Sequence, residues 1–419
     1  MSNQLKIVNV LRRFSFTEWG GTETVVWNTS KELARLGYRP QIVSTTALCH
    51  TPEETVENIP IHRYPYFYPY FPLSEPNRLA LDKKGGNPFS LPMYRYLQQV
   101  DADLIHCHTM ARLGETVRAA ATPRHIPYVV SFHGGHFDVP VKELEEMRRP
   151  VRQSLNYGRL IDLFLGRNRF IAESSGIICV GYNEYEIARG RYPDKPVMYL
   201  PNGVDIDRFT TPAQYDFRDK WRISPNARMI LCVSRIDYQK NQKMLLSLLD
   251  RLKSEQENVH LVLIGPVTAP NYYNEMLDII AKRGLQPYLT TITGVPPDSP
   301  ELLAAYRAAD LFILPSIHEP FGIVVLEAWA AGVPVIASST GGLNKLIDHN
   351  LNGLLFDNTD LDQLANAYRE VTRNRQLRDQ LVKNASTTVK TQYSWSTVSR
   401  NLIEFYRRVL SLRNTEKIR

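Results

Sequence analysis

From Met229 onward the chain repeats one pattern: a short apolar run, a polar break, then a stretch of helical periodicity. The runs are MILCVS, VHLVLIG, TTIT, LFILPS and PVIAS, and helices begin near Asn241, Asn271, Ser299 and Phe321. Strands alternating with helices of this length predict a parallel sheet covered on both faces, because each crossover must lie over the sheet. Pro300, directly after Ser299, marks a helix start, since the first turn has no use for that N–H.

The first half carries the same rhythm less regularly. Lys6–Leu11 reads as a strand, Thr22–Leu36 as a helix and Gln41–Thr45 as a second strand. Leu104–His108, Tyr128–Phe132 and the GIICVG run from Gly176 continue it. Between Ile59 and Leu91 the alternation fails, and YPYFYPYFP predicts an irregular insertion or a strand followed by a loop. At 419 residues the chain exceeds one ordinary core. The expected division places 1–200 and a terminal helix (about 395–419) in one Rossmann-like domain. Residues 201–394, after the Pro201-Asn202-Gly203 turn, form the other.

A hydrophobic fraction of 43% and a charged fraction of 22% are those of a globular protein. No apolar run approaches the ~18 residues of a membrane helix, and MSNQLKIVNVLRR lacks the apolar stretch of a signal peptide. The expected location is the cytoplasm, with the inner face of the membrane as a peripheral station. The four cysteines form no Cys-x-x-Cys pair, which points to reduced thiols rather than a zinc or disulfide framework. A formal charge of +7 suits an anionic partner: a nucleotide-sugar, an anionic lipid surface or nucleic acid. Nucleic acid is set aside, because the cations form no dense stripe with interleaved aromatics on one element.

Three motifs carry chemistry. Gly20-Gly21-Thr22-Glu23 follows the first strand, where two glycines admit a ligand and a helix N-terminus offers N–H groups to a phosphate; a plain tight turn explains the pair equally well. It is not the GxGxxG of a dinucleotide enzyme. Arg235 and Lys240, in Ser-Arg-Ile-Asp-Tyr-Gln-Lys-Asn after MILCVS, can sit on the two phosphates of a diphosphate without a metal, or be solvated surface cations. In Glu319-Pro-Phe-Gly-Ile-Val-Val-Leu-Glu327, Pro320 suits a first helical turn and the amides of Phe321, Gly322 and Ile323 become helix-start donors. A generic amphipathic helix explains neither the acid before the proline nor the glycine in the first turn.

EPFGIVVLEAWAAGVPVIAS, followed by Gly341-Gly342 and NGLLF, resembles the retaining glycosyltransferase family marked by a Glu-x7-Glu motif (group 1, family 4). GGTE, SFHGG around His133, PNGVDIDRF and SRIDYQKN support the resemblance in order and spacing, while about 59–93 and much of 138–170 match nothing. The resemblance implies the GT-B architecture: two Rossmann-like parallel-sheet domains facing across a cleft, the first for the acceptor and the second for the donor. It implies that Arg235 and Lys240 hold the donor diphosphate and stabilise the leaving group, with the backbone N–H of Gly21 beside Gly20 on the same phosphates. It places Glu327 on the ribose, Glu319 and the amides of Phe321, Gly322 and Ile323 on the transferred sugar, His133 beside the reacting carbon and Val295 beside the base. The last helix, from about Ser394-Trp395 to Leu412, is expected to cross back to the first domain. No carboxylate nucleophile is evident, so a front-face reaction is expected. The donor is a substrate and no cofactor is expected; a UDP-sugar is favoured over a GDP-sugar, with a glycan or lipid-linked acceptor. The competing readings are a non-catalytic sugar-binding protein and an epimerase or phosphorylase on the same fold.

Other features have plainer explanations. Asp101/Asp103, Asp205/Asp207 and Asp360/Asp362 resemble metal-binding pairs but sit where turns and caps are expected, and no metal is assigned. His106 and His108 alternate with Cys107 along a strand, without further zinc ligands in view. The basic segment 148–169, with Arg149, Arg152, Arg159 and Arg167 among leucines and Phe164, reads either as a helix resting on anionic lipid or as a domain helix with solvated arginines. The aromatic run either stacks on an acceptor sugar or packs as a loop.

Overall fold

The computed structural model describes residues 5–17, 20–133, 149–166, 168–212, 215–296 and 299–416. It divides into two compact units, one of 1–201 with 398–419 and one of 202–397.

The strands of the first unit are β1 (Lys6–Arg13), β2 (Arg39–Thr45), β3 (Glu53–Val56), β4 (Ile59–Tyr64), β5 (Tyr70–Phe71), β6 (Leu104–Cys107), β7 (Tyr128–Phe132), β8 (Leu155–Asn156), β9 (Gly176–Cys179) and β10 (Val197–Tyr199). Eight of them form one sheet in the order β10-β9-β7-β6-β1-β2-β4-β3. Every pairing in it is parallel except the β3–β4 hairpin. The chain leaves β1 toward β2 on one side and returns to β6 on the other, so the strand order reverses between β1 and β6. In open α/β sheets ligands bind beyond the carboxyl ends of the strands at that reversal. Val8, Val10, Ile105 and Cys107 bury one face of the sheet. On the other side, the helix Trp395–Glu416 lays Phe405 and Val409 against Gly176, where any side chain would collide.

The second unit contains β11 (Arg228–Val233), β12 (Val259–Ile264), β13 (Leu289–Ile292), β14 (Leu311–Leu314), β15 (Val335–Ser338) and β16 (Leu354–Phe356). They form a wholly parallel sheet ordered β13-β12-β11-β14-β15-β16, with its reversal between β11 and β14. Alternation along β11 sends Met229, Leu231 and Val233 into one core and Ile230 and Cys232 into the other. Helices therefore cover both faces, as the near-continuous apolar strands require. Two open, mostly parallel α/β sheets, one in each unit, match the two Rossmann-like domains of the GT-B fold that the sequence implied.

The irregular stretch after Ile59 is more ordered than its proline content suggested. It forms β4, β5 and the helices Glu75–Lys84 and Leu91–Leu97, each helix capped by a serine with proline in its first turn. Tyr66 and Tyr68 both donate to Asp82 Oδ1, at 2.6 and 2.9 Å, so these members of the aromatic run pack as structure. The basic segment is not one helix: a 3-10 turn (Arg149–Val151), β8 and a helix (Arg159–Leu165) follow one another. Pro150 and Gly158 break it, and 148 and 167 lie outside the described residues.

Candidate functional site

In the second unit the loops after β11 and β14 meet at the reversal of strand order. Asp237 organises the first loop: its carboxylate accepts from the amides of Gln239 and Lys240 (3.0 and 3.2 Å) and from the Thr268 hydroxyl (2.9 Å). Gln242 ties Ser234 Oγ (2.9 Å) and the Arg235 carbonyl (2.6 Å) back to the following helix. Gly265 passes so close that a Cβ would lie 2.0 Å from the Ser234 carbonyl oxygen, so only glycine fits there. The loop carries Arg235, half-exposed at 52%, with its guanidinium 3.5 Å from Asp237. Lys240 turns inward, and its Nζ donates to Glu319 Oε2 at 2.7 Å, both side chains nearly covered.

Glu319 is held by the glycine pair one strand on, after β15. Gly342 N–H donates to the Glu319 carbonyl at 2.8 Å. A Cβ on Gly341 would meet that same oxygen at 2.5 Å, and one on Gly342 would meet the Pro320 carbonyl oxygen at 2.1 Å. The helix begins at Ile323, two residues later than the sequence suggested, with Gly322 in the left-handed region (φ 98°) as its cap. A positive φ at that position explains the glycine. The first amides of the helix have no carbonyl of their own helix to donate to. The Phe321 ring is buried, so any contact it makes with a ligand is through its backbone. Glu327, half-buried, accepts from the buried Tyr306 hydroxyl at 2.7 Å. Val295 follows Gly294, whose φ of 79° turns the chain after β13.

In the first unit, Gly20 and Gly21 line a pocket of about 470 Å³ with Arg12, Arg13, His108 and His133, again beyond the strand ends at the reversal. Gly20 caps the helix Gly21–Arg35 in extended conformation. Its missing Cβ leaves room for the buried Arg13–Glu23 ion pair, which spans 3.0 Å. Gly21 differs, because a Cβ there would meet nothing within 4 Å. The glycine faces open space.

His133 belongs to a buried network. His108 Nε2 faces Asn9 Oδ1 at 3.2 Å, and Asn9 Nδ2 donates to Ser30 Oγ at 3.2 Å. The Asn9 oxygen can only accept, so His108 carries its proton on Nε2 and its Nδ1 is bare. That Nδ1 lies 2.9 Å from His133 Nε2, which therefore carries the proton of His133. The remaining nitrogen, His133 Nδ1, is an acceptor. Deeper in, the His106 ring lies against His108 at a 36° tilt with centroids 3.8 Å apart and bridges Tyr406 and Ser131, each at 2.6 Å. Burial drives all three histidines down, His133 to about 4, and they are neutral near pH 7. His106 is thus a packed residue, and His108, also buried, reaches the wall of the pocket.

The structure therefore gathers Arg235, Lys240, Glu319 and the start of the Ile323 helix at one site, and Gly20, Gly21 and His133 at another. Glu327 stands on the Ile323 helix itself, whereas Val295 follows β13, the edge strand of the second sheet. Sequence reasoning missed Asn9, Ser30, Asp237 and Gln242, which act through other residues and break no pattern. The acidic pairs have the local roles expected of them: Asp205 and Asp360 cap helices, and Asp103 accepts from the Lys6 amide.

Two open, mostly parallel sheets, each with a polar pocket or ion pair at its strand reversal, define a two-domain α/β protein. Residues 19–208 match the model of Glycosyltransferase Family 4 and residues 214–388 that of Glycosyl transferases group 1, so the chain carries two glycosyltransferase domains. A glycosyltransferase of Methanocaldococcus jannaschii is 28% identical over 73% of this chain and 75% of its own length. The GDP-mannose-dependent alpha-(1-6)-phosphatidylinositol monomannoside mannosyltransferase of Mycobacterium tuberculosis is 31% identical over 54% of this chain. The match spans 60% of that enzyme's length. Anabaena HepE, solved in complex with UDP and glucose, shares the fold with a TM-score of 0.68 at 20% identity, over 97% of this chain and 100% of that one. Among the described residues no helix is long and apolar enough to cross a membrane.

Proposed function

We propose that this protein is a retaining, metal-independent glycosyltransferase that moves a hexose-type sugar from a nucleotide-diphosphate sugar to a glycan or lipid-linked acceptor. The observation that carries the reading is the Lys240–Glu319 ion pair beside Arg235 at the strand reversal of the second unit. A donor diphosphate draws Lys240 and Arg235 to its oxygens and releases the Glu319 carboxylate to accept from sugar hydroxyls. The two cations then stabilise the charge that grows on the leaving diphosphate, the task a divalent ion performs elsewhere. Helix-start amides near Phe321, Gly322 and Ile323 add donors on the same side, and Glu327 takes the ribose. Gly21 lends its amide to the phosphates. His133, held as an acceptor through Nδ1, takes a hydrogen bond from the transferred sugar. With no carboxylate assigned as nucleophile, the departing phosphate oxygen takes the acceptor's proton on the same face.

A UDP-sugar is the favoured donor, in keeping with the fold neighbour solved with UDP, and the mannosyltransferase relative makes a GDP-sugar the second candidate. The test is nucleotide release from UDP-, GDP-, ADP- and TDP-sugars with EDTA present throughout, followed by NMR of the product anomer. One donor should turn over with its anomeric configuration kept. Lys240→Ala should slow that turnover on the order of a hundredfold or more while the fold is preserved. Abolition by EDTA would remove metal independence, an inverted product would remove retention, and a requirement for inorganic phosphate would make the protein a phosphorylase.

A further inference from the structure

Among the described residues of the first unit, five large apolar side chains stand out as more than 70% exposed: Phe71 (72%), Leu155 (72%), Leu160 (75%), Leu163 (78%) and Phe164 (72%). They are not scattered. Phe71 and Leu155 face each other across the antiparallel β5–β8 pair. Leu160, Leu163 and Phe164 follow at i, i+3 and i+4 on the helix Arg159–Leu165, one face of a single turn. The opposite face is anchored: Asp162 Oδ1 accepts from the buried Arg112 at 2.7 Å, and Leu165 is covered. Isolated exposed apolar side chains need no explanation, but five on adjoining short elements, presenting on the order of several hundred Å², do.

Charge identifies the occupant. Arg149, Arg152 and Arg159 are exposed around this face, and none has a carboxylate partner among the described residues. The one acidic residue between 149 and 166 is Asp162, which Arg112 already holds. A protein partner with an apolar face would leave these three cations unmatched. An anionic bilayer matches both halves of the pattern, with headgroup phosphates for the arginines and the acyl boundary for Phe71, Leu155, Leu160, Leu163 and Phe164. We infer that the first unit docks on anionic phospholipid through this face. Behind the same helix, Arg112, Asn156 and Asp162 share the lining of a pocket of about 750 Å³ with Met110 and Phe170, which docking would set beside the headgroup layer.

The test uses the full chain and vesicles, and it does not depend on the transfer reaction. Co-sedimentation is measured with phosphatidylcholine vesicles containing about a third phosphatidylglycerol and with phosphatidylcholine alone, at low and high salt. The wild type should bind the anionic vesicles at low salt and leave them as salt rises. R149Q/R152Q/R159Q should weaken binding by on the order of a hundredfold, about fivefold per arginine. L160S/L163S/F164S should abolish binding with the thermal midpoint unchanged or raised, since these side chains are exposed in the fold. Absence of binding to anionic vesicles, or equal binding by the apolar variant, overturns the inference. A dimer in sedimentation velocity that L160S/L163S/F164S dissolves, without vesicle binding, would assign the face to a second copy of the chain instead.

Discussion

The proton of His133 is set from two residues away. Asn9 can only accept through its oxygen, which fixes His108, and His108 fixes His133 as an acceptor toward the pocket. Replacing Asn9 with leucine removes that constraint while keeping an apolar-sized side chain on β1. The ¹⁵N shifts of His133 should then change from one tautomer to a mixture, and the rate should fall about tenfold or more with the fold retained. Unchanged shifts would show that His133 is set by something else. His133 came into view only through the resemblance that the run SFHGG carries, not from the pattern of the residues themselves. Asn9 was not legible, since an asparagine inside KIVNVLRR looks like any polar interruption until its side chain is seen to meet His108. Lys240 and Glu319 were each legible in their own loops, but their pairing was not, because it joins positions 79 residues apart.

At the scale of elements the two glycine pairs serve opposite ends: Gly341-Gly342 lies where backbones touch, and Gly20-Gly21 does not. Gly342→Ala drives a methyl into the Pro320 carbonyl, so the loop bearing Glu319 must move. Urea unfolding should show a loss of about 1–3 kcal/mol for the second unit, accompanied by weaker nucleotide binding. Gly21→Ala meets open space and a helical position that alanine favours, so stability should hold or rise slightly. Titration with the donor nucleotide should nevertheless show weaker binding if a phosphate approaches that backbone. A Gly21→Ala protein that binds normally would remove Gly21 from the site. The strand–helix alternation was readable along most of the chain, because period and length together separate strands from crossovers. It failed between 59 and 91, where prolines that seemed to forbid order instead open the first turns of the helices Glu75–Lys84 and Leu91–Leu97. It also failed at 148–169, where apolar and basic residues at helical spacing are divided among a turn, a strand and a short helix.

Over the whole molecule, buried neutral histidines are unevenly shared. Burial depresses His106, His108 and His133 in the first unit, and His260 in the second. An unfolded chain takes up these protons near pH 6.5, whereas native His133 waits until about 4, so the unfolded state binds more protons between the two values. Stability is therefore full above pH 6.5 and falls as the solution is acidified toward 4. The slope is up to about 1.4 kcal/mol per pH unit for each histidine that stays neutral. Hydrogen exchange at pH 7.5 and 5 should show the first unit losing protection ahead of the second. Equal loss in both would contradict the assignment of neutral imidazoles to the first sheet.

The same unit has an order of assembly written into it. Its sheet is encoded before residue 201, yet the helix that covers Gly176 and brings Tyr406 to His106 is translated only after all of the second unit. During synthesis the second unit, contiguous in sequence, can close while the earlier one still waits with an open face. A ribosome that stalls between 202 and 397 thus releases a chain whose pocket histidines lack their backing. Such a product is left with an apolar face uncovered for quality control to recognise, rather than a half-working enzyme.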